Sequence, residues 1–464
     1  RKGTALKQYE AAIIGLGKGG KTRAGALAAE GQGVALIEQS PERYGGTCIN
    51  VACIPTKALV HAAELSAAQG GTFAQQAERY AAAHAEKNRV VSMLRAKNYD
   101  KLANLPNVDV IDGRASFLDE NRIALDLVEG RRESDRRIIE ADRIFINTGS
   151  RPFVPSIPGI DGPRVHTSET LLDLSTLPKR LVILGGGYIG LEFASLFANF
   201  GSHVTIVQNG ETFLPREDAD IAHAVLASLT ARGLRVMSKT DVLRIEDAAN
   251  EATVVANTEN GEQHIPADAV LVATGRRPNI DGLNLEAARI ETNARGGIQV
   301  DEHLRTTAPN VWALGDVTGG PQFTYISLDD FRIVRDDAWG SGERTTKNRG
   351  AIPYAVFLDP PFARVGMTEQ EAREAGFNVK TAQIPAAAVP KAQAIGKTTG
   401  LLKAIVDAST DRLLGVHLFI EESHEMINVA KLAIDAGLPY QALRDAVYTH
   451  PTMTEAFNDL FSGL

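Results

Sequence analysis

The sequence predicts an α/β chain of two parallel-sheet nucleotide-binding units, the second inserted in the first, followed by a carboxyl-terminal α+β domain. Three observations carry this. The pattern GxGxxGxxxA occurs twice, as Gly15, Gly17, Gly20, Ala24 and as Gly185, Gly187, Gly190, Ala194. Two stretches, FINTGSRP at 145–152 and LVATGRRPN at 271–279, read as apolar strands that leave through a glycine turn and a proline. Beyond Thr345 the texture changes to short strands (YAVF, ARVGM, KTAQI, LLKAIVD, LLGVHLFI), followed by helical periodicity through MINVAKLAIDAG.

Each glycine pattern follows an apolar strand, AAII and then RLVIL, and opens a helix. That is the Rossmann-like context in which a dinucleotide pyrophosphate sits at a helix amino terminus. After the first copy the strand VALI ends in Glu38, where a carboxylate binds a ribose hydroxyl. After the second, VTIV ends in Gln208, with Asn209 beside it and Glu211 a little further on. An acid there selects NAD and a nearby Arg accommodates the 2′-phosphate of NADP; Gln208 does neither, so NADH versus NADPH stays open. The expected boundaries are a first dinucleotide unit over 1–152 and 277–345, the inserted unit over 153–276, and the last domain over 346–464. A competing match overlaps the first copy: GLGKGGKT at 15–22 fits the phosphate-loop pattern of nucleotide triphosphatases. The placement of Glu38, the second glycine copy and the cysteine pair behind it argue for the dinucleotide reading.

Composition sets the frame. With 464 residues, 44% hydrophobic and 23% charged, the chain can bury several cores. A formal charge of −8 and a pI near 5.8 argue against an extended nucleic-acid face. The basic run of Arg131, Arg132, Arg136 and Arg137 is interrupted by Glu133 and Asp135 and reads as a solvated hairpin tip. The start, RKGTALKQYE, lacks an initiator Met and any apolar core of signal-peptide length, so a trimmed or tagged start and a cytoplasmic location are expected. The one stretch resembling a membrane span, 181–200, is broken by Gly185, Gly186, Gly187 and Glu192 and reads as strand, turn, helix.

Only two cysteines occur, Cys48 and Cys53, within GGTCINVACIPTK. A loop that small cannot staple the chain, and so few cysteines fit a reducing compartment, so the pair points to redox catalysis. Residues five apart on a regular helix rise by roughly 7.5 Å, beyond a relaxed disulfide's reach, so Cys48 must lie in a bent segment. The disulfide is then strained and easily reduced. Lys57 supplies a field that favours the thiolate. His424 and Glu425 do not complete HExxH because position 428 is Asn, and no structural metal site is expected.

In their order along the chain, GxGxxG with Glu38, GGTCINVACIPTK, GGGYIGLE, TTAPNVWALGD (306–316) and HPTMTE (450–455) resemble the class I pyridine nucleotide-disulfide oxidoreductases. That group includes glutathione reductase, dihydrolipoyl dehydrogenase and mercuric reductase. The stretches YGGTCINVACIPTKALVH, FLPREDADIA, QFTYISLDDFRIVRD and SHEMIN resemble its reactive-chlorine-resistance branch, to which reduction of metal ions, notably Cu(II), is attributed. The resemblance implies FAD in the first unit, NAD(P)H in the second, and a carboxyl-terminal dimerisation domain. Electrons would run from NAD(P)H through FAD to the Cys48/Cys53 disulfide and on to an acceptor.

By the same resemblance Cys53 is the thiol nearer the flavin and Cys48 the interchange thiol. Lys57 pairs with Glu192, Tyr188 covers the flavin until nicotinamide enters, and Asp316 binds the ribityl chain. His450 and Glu455 reach across a homodimer to the partner's disulfide. Gly46, Thr47, Thr148 and Gly149 join Gly15, Gly17, Gly20, Glu38, Lys57 and Asp316 on the FAD side; Gly275 joins Gly185, Gly187, Tyr188, Gly190 and Gln208 on the NAD(P) side. The acceptor is a metal ion such as Cu(II), with Cys48 and Cys53 as transient ligands, since paired thiolates suit soft ions. A reductase of lipoamide or another small disulfide is the alternative within the fold; a nonenzymatic flavin redox sensor or a triphosphatase would be of another class. The tail NDLFSGL lacks the extra cysteine pair usual in mercuric reductases, and Ala52 replaces a glycine often found before the second cysteine, with no consequence assigned.

Overall fold

The computed structural model describes residues 6–127 and 136–464. Most of the basic run read as a hairpin tip, residues 131–135, lies outside them. By packing the chain divides into two units. The first comprises Arg1–Ala58, His84–Phe153 and Gly275–Arg349; the second comprises Leu59–Ala83, Val154–Thr274 and Gly350–Leu464. The segment Leu59–Ala83 thus groups with the second unit although it precedes the first crossing.

In the first unit the strands run in the order Val311–Ala313, Arg136–Ile146, Lys7–Ile14, Val34–Glu38, Val108–Phe117, all parallel where they pair. The far end of Val108–Phe117 turns into an antiparallel pairing with Arg122–Leu127, which pairs in turn with Arg136–Ile146. Strands such as VALIE are buried at every position, as expected where helices cover both faces of a parallel sheet. Helix Lys18–Ala29 lies against helix Thr324–Trp339. Phe145 is fully buried and stacks on Trp312 at 5.2 Å, so its truncation to Ala costs about 3–5 kcal/mol.

The second unit holds a five-stranded parallel sheet in the order Arg235–Met237, His203–Val207, Arg180–Leu184, Ala269–Val272, Val165–Thr167. An antiparallel sheet of Asp241–Asp247, Ala252–Thr258 and Gly261–Ala267 accompanies it. The region expected to be a membrane-span mimic is strand Arg180–Leu184, a glycine turn and helix Tyr188–Asn199, as the glycines require. No helix among the described residues is long and apolar enough to cross a membrane.

The carboxyl-terminal part of this unit is a five-stranded antiparallel sheet, ordered Tyr354–Val356, Phe362–Gly366, Leu413–Phe419, Leu401–Asp407, Val379–Pro385. Helix Ser423–Asp435 buries Met426, Ile427, Ala430 and Ala433 against it, the i, i+1, i+4, i+7 face anticipated from its periodicity. Lys403, only 2% exposed, donates to Asp218 at 2.9 Å, Asp220 at 2.7 Å and Glu369 at 2.8 Å, and so ties residues 218–220 to this sheet. A buried cation is tolerable only with such partners.

The exits beyond the two glycine turns pair with each other: Ser150–Pro152 runs antiparallel to Arg276–Pro278, both in the first unit. Within TTAPNVWALGD the strand is Val311–Ala313, and Asp316 lies inside a 3-10 turn, Gly315–Thr318, because Gly315 takes φ +76 and turns the chain.

Candidate functional site

The first glycine turn is built by close approach. Gly15 has φ +106, and a Cβ there would lie 2.2 Å from the Asn147 carbonyl oxygen. A Cβ at Gly20 would lie 2.3 Å from the Gly15 carbonyl, which is why the helix can start so close to the strand. Gly17 caps helix Lys18–Ala29 and supplies no side-chain bond to its first turn. Gly20 N–H donates to Asn147 Oδ1 at 2.8 Å and Gly19 N–H to Ser327 Oγ at 3.1 Å. Glu38, 7% exposed, reaches back to accept Leu16 N–H at 3.0 Å and Gln39 N–H at 2.8 Å. Burial pushes its carboxyl above the usual range, against these bonds.

Gly46 brings the cysteine segment onto this turn. Its φ is +82, and a Cβ would sit 2.7 Å from Gly17 Cα. From there Thr47–Asn50 forms a single helical turn, Val51 breaks it at φ −143, and helix Cys53–Gln69 begins. Cys48 therefore does lie in a bent segment. Both thiols are free and half-buried. The hydrogen bond from Cys53 holds Cys48 down, from an ordinary 9.0 to about 7, against burial; the Thr324 hydroxyl and the charges of Lys21 and Lys57 add to it. The same bond and burial push Cys53 well up. The thiolate favoured by this geometry is Cys48, whereas the resemblance points to Cys53 as the thiol beside the flavin. Lys57, on helix Cys53–Gln69, favours ionisation of both.

Lys21, Thr324 and Tyr325 escaped the sequence reading as parts of the thiol environment. Lys21 Nζ donates to Asn98 Oδ1 at 2.5 Å, and burial lowers it to about 8. The Thr22 hydroxyl of the phosphate-loop match is spent on Lys18 O at 2.6 Å. Tyr325 stacks on Phe323 at 5.1 Å, and burial followed by the charge of Cys53 raises its phenol. Only the QFTYIS stretch itself, quoted for its likeness, pointed there.

At the same carboxyl end of the parallel strands, Asp316 accepts the Ser150 hydroxyl at 2.6 Å; burial raises its carboxyl, while that bond and Arg276 oppose the rise. Arg276 also donates to Ser150 Oγ at 2.9 Å. Thr148 donates its hydroxyl to Asn279 O at 2.7 Å, and Gly149, at φ +72, has nothing within 4 Å of where a Cβ would stand. Gly275, expected on the nicotinamide side, falls in the first unit, where its carbonyl accepts Phe153 N–H at 2.9 Å.

These residues fit FAD. A buried acid at the second strand end suits an adenosine ribose, and a helix amino terminus capped by a bare glycine suits a pyrophosphate. Asp316 offers a desolvated carboxylate for hydroxyl donors.

The second unit repeats the turn: Gly185 has φ +112, with a Cβ position 2.3 Å from Ala273 O, and a Cβ at Gly190 would lie 2.3 Å from Gly185 O. Gly187 caps helix Tyr188–Asn199 and faces open space. Gln208 Oε1 lies 2.2 Å from a Cβ position at Gly186, and Nε2 donates to Gly210 O, Thr212 O and Ser238 Oγ at 3.1–3.2 Å. That amide shapes its own loop and carries no charge toward a ribose. The set fits a nicotinamide dinucleotide.

Tyr188 donates to Glu217 Oε1, and Glu192 Oε1 accepts Phe357 N–H at 2.9 Å. His450 Nδ1 lies 2.8 Å from Glu455 Oε1, and Glu455 Oε2 accepts Thr452 N–H at 2.7 Å. The carboxylate thereby fixes the tautomer with Nδ1–H donating and leaves Nε2, on a side chain 69% exposed, for proton exchange. His450 and Thr452 hold Glu455 below the usual carboxylate range. Among the described residues no group of three or more His, Cys, Asp or Glu is arranged to hold a metal ion.

Comparison with known proteins follows the same lines. The family model described as pyridine nucleotide-disulphide oxidoreductase matches residues 9–330, and that of its dimerisation domain matches 352–461. The chain is 50% identical over 458 residues to the "Probable pyridine nucleotide-disulfide oxidoreductase RclA" of Escherichia coli, covering 98% of this chain and 99% of that one. It is 36% identical to a mercuric reductase of Staphylococcus aureus, covering 96% of this chain and 81% of the relative. A solved structure described as the Cu(II) complex of HOCl-induced flavoprotein disulfide reductase RclA from Escherichia coli superposes with a TM-score of 0.91 at 50% identity, covering 98% and 99% of the two chains.

Proposed function

We propose, from the premise that this chain belongs to the pyridine nucleotide-disulphide oxidoreductase family, that it is a metal-ion reductase with Cu(II) as its acceptor. It is an oxidoreductase of a family that uses FAD and NAD(P)H. Membership sets the triphosphatase alternative aside. The observation that carries the acceptor is the whole-chain likeness, at 50% identity, to a protein solved as a Cu(II) complex. A hydrogen-bonded pair of free thiols supports it, because thiolates are soft ligands that favour Cu(I) over harder ions.

In this reading Gly15, Gly17, Gly20, Glu38, Gly46, Thr47, Lys57, Thr148, Gly149 and Asp316 hold FAD. Gly185, Gly187, Tyr188, Gly190, Gln208 and Gly275 serve NAD(P)H. When bound, FAD takes up two electrons from NAD(P)H and supplies them to the Cys48/Cys53 pair. Cys48, ionised near neutral pH, ligates the arriving ion, and Cys53 keeps its proton until it is oxidised. The thiolate and thiol then become the disulfide, two Cu(II) become two Cu(I), and the one proton still on Cys53 leaves.

The chain acts as a cytoplasmic homodimer. His450 of one copy, oriented by Glu455, exchanges protons with the thiols of the other. Lys57 and Glu192 take the places beside the flavin that the family assigns them.

The likeness to a dihydrolipoyl dehydrogenase of Mycobacterium tuberculosis, 32% over 99% of this chain and 98% of that one, favours a second reading, reduction of a small disulfide. Anaerobic turnover of the purified protein decides between them. Oxidation of NAD(P)H with two Cu(I) formed per nicotinamide, abolished in Cys48→Ser and Cys53→Ser, supports the metal reading. Lipoamide reduction without a metal response replaces it, and unchanged copper turnover in both variants removes the thiols from the mechanism.

A further inference from the structure

Side chains distant from one another in sequence converge on Tyr188. Its hydroxyl donates to Glu217 Oε1, and the Tyr354 hydroxyl donates to the same oxygen at 2.6 Å. The two rings lie 5.6 Å apart. The Glu217 side chain is fully buried, and its second oxygen, 3.6 Å from Arg364 Nη1, accepts no hydrogen bond. Arg364 is itself fixed: it donates to Arg216 O at 2.6 Å and pairs with Glu371, which closes a capping box with Thr368. Asp218, the next residue along from Glu217, is held by Lys403 at 2.9 Å. The carboxylate therefore stands on a rigid mount, and burial and its charge keep both phenols protonated as donors.

We propose that Glu217 is a positioning residue that latches Tyr188, with Tyr354 as its co-donor, and that the nicotinamide must open this latch to bind. The inference rests on the reading of Tyr188 as the ring that covers the nicotinamide position. Tyr188 is the first residue of the helix capped by Gly187, so it stands where the bound dinucleotide enters. A phenol bonded to a buried carboxylate is a charge-assisted pair, stronger than a neutral one, so the latched state dominates. Apparent affinity for a ligand that needs the open state is reduced by the fraction open. Any change that weakens the latch therefore tightens nicotinamide binding.

The test measures the dissociation constant of the oxidised nicotinamide dinucleotide by calorimetry on the FAD-loaded dimer, alongside KM and kcat. Tyr188→Phe removes only the latching hydroxyl and leaves Glu217, Tyr354 and Arg364 together. It is expected to lower the dissociation constant about tenfold, the difference of one charge-assisted bond. Glu217→Gln, which keeps shape and one acceptor oxygen but loses the charge, is expected to move it the same way. The double variant gains nothing beyond Tyr188→Phe, since there is one latch to open. Unchanged or weaker binding in Tyr188→Phe overturns the proposal, as does additivity in the double variant. Where Glu217→Gln gives no folded protein, Tyr188→Phe decides alone. A parent protein that binds neither NAD nor NADP overturns the family reading of the site and this inference with it, a result distinct from failure in the variants only.

Discussion

Replacing Cys53 by Ala tests the electrostatics of the thiol pair directly. Cys48 sits at about 7 instead of an ordinary 9.0, and the largest cause is the hydrogen bond from Cys53, followed by the opposing effect of burial. A fall from 9.0 to about 7 corresponds to about 3 kcal/mol between the protonation states. With the donor gone and burial retained, the remaining help from Thr324, Lys21 and Lys57 cannot hold the thiol at 7, and the midpoint rises to about 9 or above. The thiolate fraction at pH 7 then falls from about one half to about 1%, so alkylation slows roughly fiftyfold. The assay is the pH dependence of iodoacetamide alkylation of Cys48 in reduced protein. Cys53→Ser, which keeps an O–H donor, is expected to stay near 7. A midpoint near 7 in Cys53→Ala would refute the reasoning and shift the cause to the lysines.

Three further outcomes are expected. Glu455→Gln frees His450 to take the other tautomer, so kcat with the acceptor falls by about tenfold to a hundredfold while FAD content, read by flavin absorbance, is unchanged. Gly46→Ala places a methyl 2.7 Å from Gly17 Cα at φ +82, and denaturant unfolding should show a loss of more than about 2 kcal/mol together with depleted flavin. Gln208→Glu puts a carboxylate where a 2′-phosphate would lie, so kcat/KM for NADH relative to NADPH rises about tenfold or more; an unchanged ratio would place the discrimination elsewhere in the loop.

Both glycine turns, Glu38 and the strands of the carboxyl-terminal sheet were legible because each is encoded locally, in spacing and in apolar runs. His450 and Glu455 were legible as a pair because they lie within one short turn. Thr324 was not, since nothing near it in sequence speaks of sulfur; it acts on Cys48 only through the fold. The same holds for Asn147, whose amide oxygen receives Gly20 N–H from the end of the neighbouring strand, 127 positions away in sequence. Glu217 and Tyr354 lie 137 positions apart, yet the Tyr354 hydroxyl and that of Tyr188 meet on one Glu217 oxygen, a coincidence of tertiary structure. The grouping of Leu59–Ala83 with the second unit was invisible for a simpler reason: it lies within helices, Cys53–Gln69 and Phe73–Ala103, that run through the division without a break in pattern.

The backbone contact between Gly46 and Gly17 has a meaning for descent. A redox loop that tolerates no side chain at Gly46 against the glycine turn cannot drift on its own: a substitution there must be answered in the dinucleotide turn or be lost. What surrounds the thiols can therefore change more freely than Gly46 itself, whose place against the glycine turn admits no side chain. Grafting either alone into another scaffold would carry half of a joint.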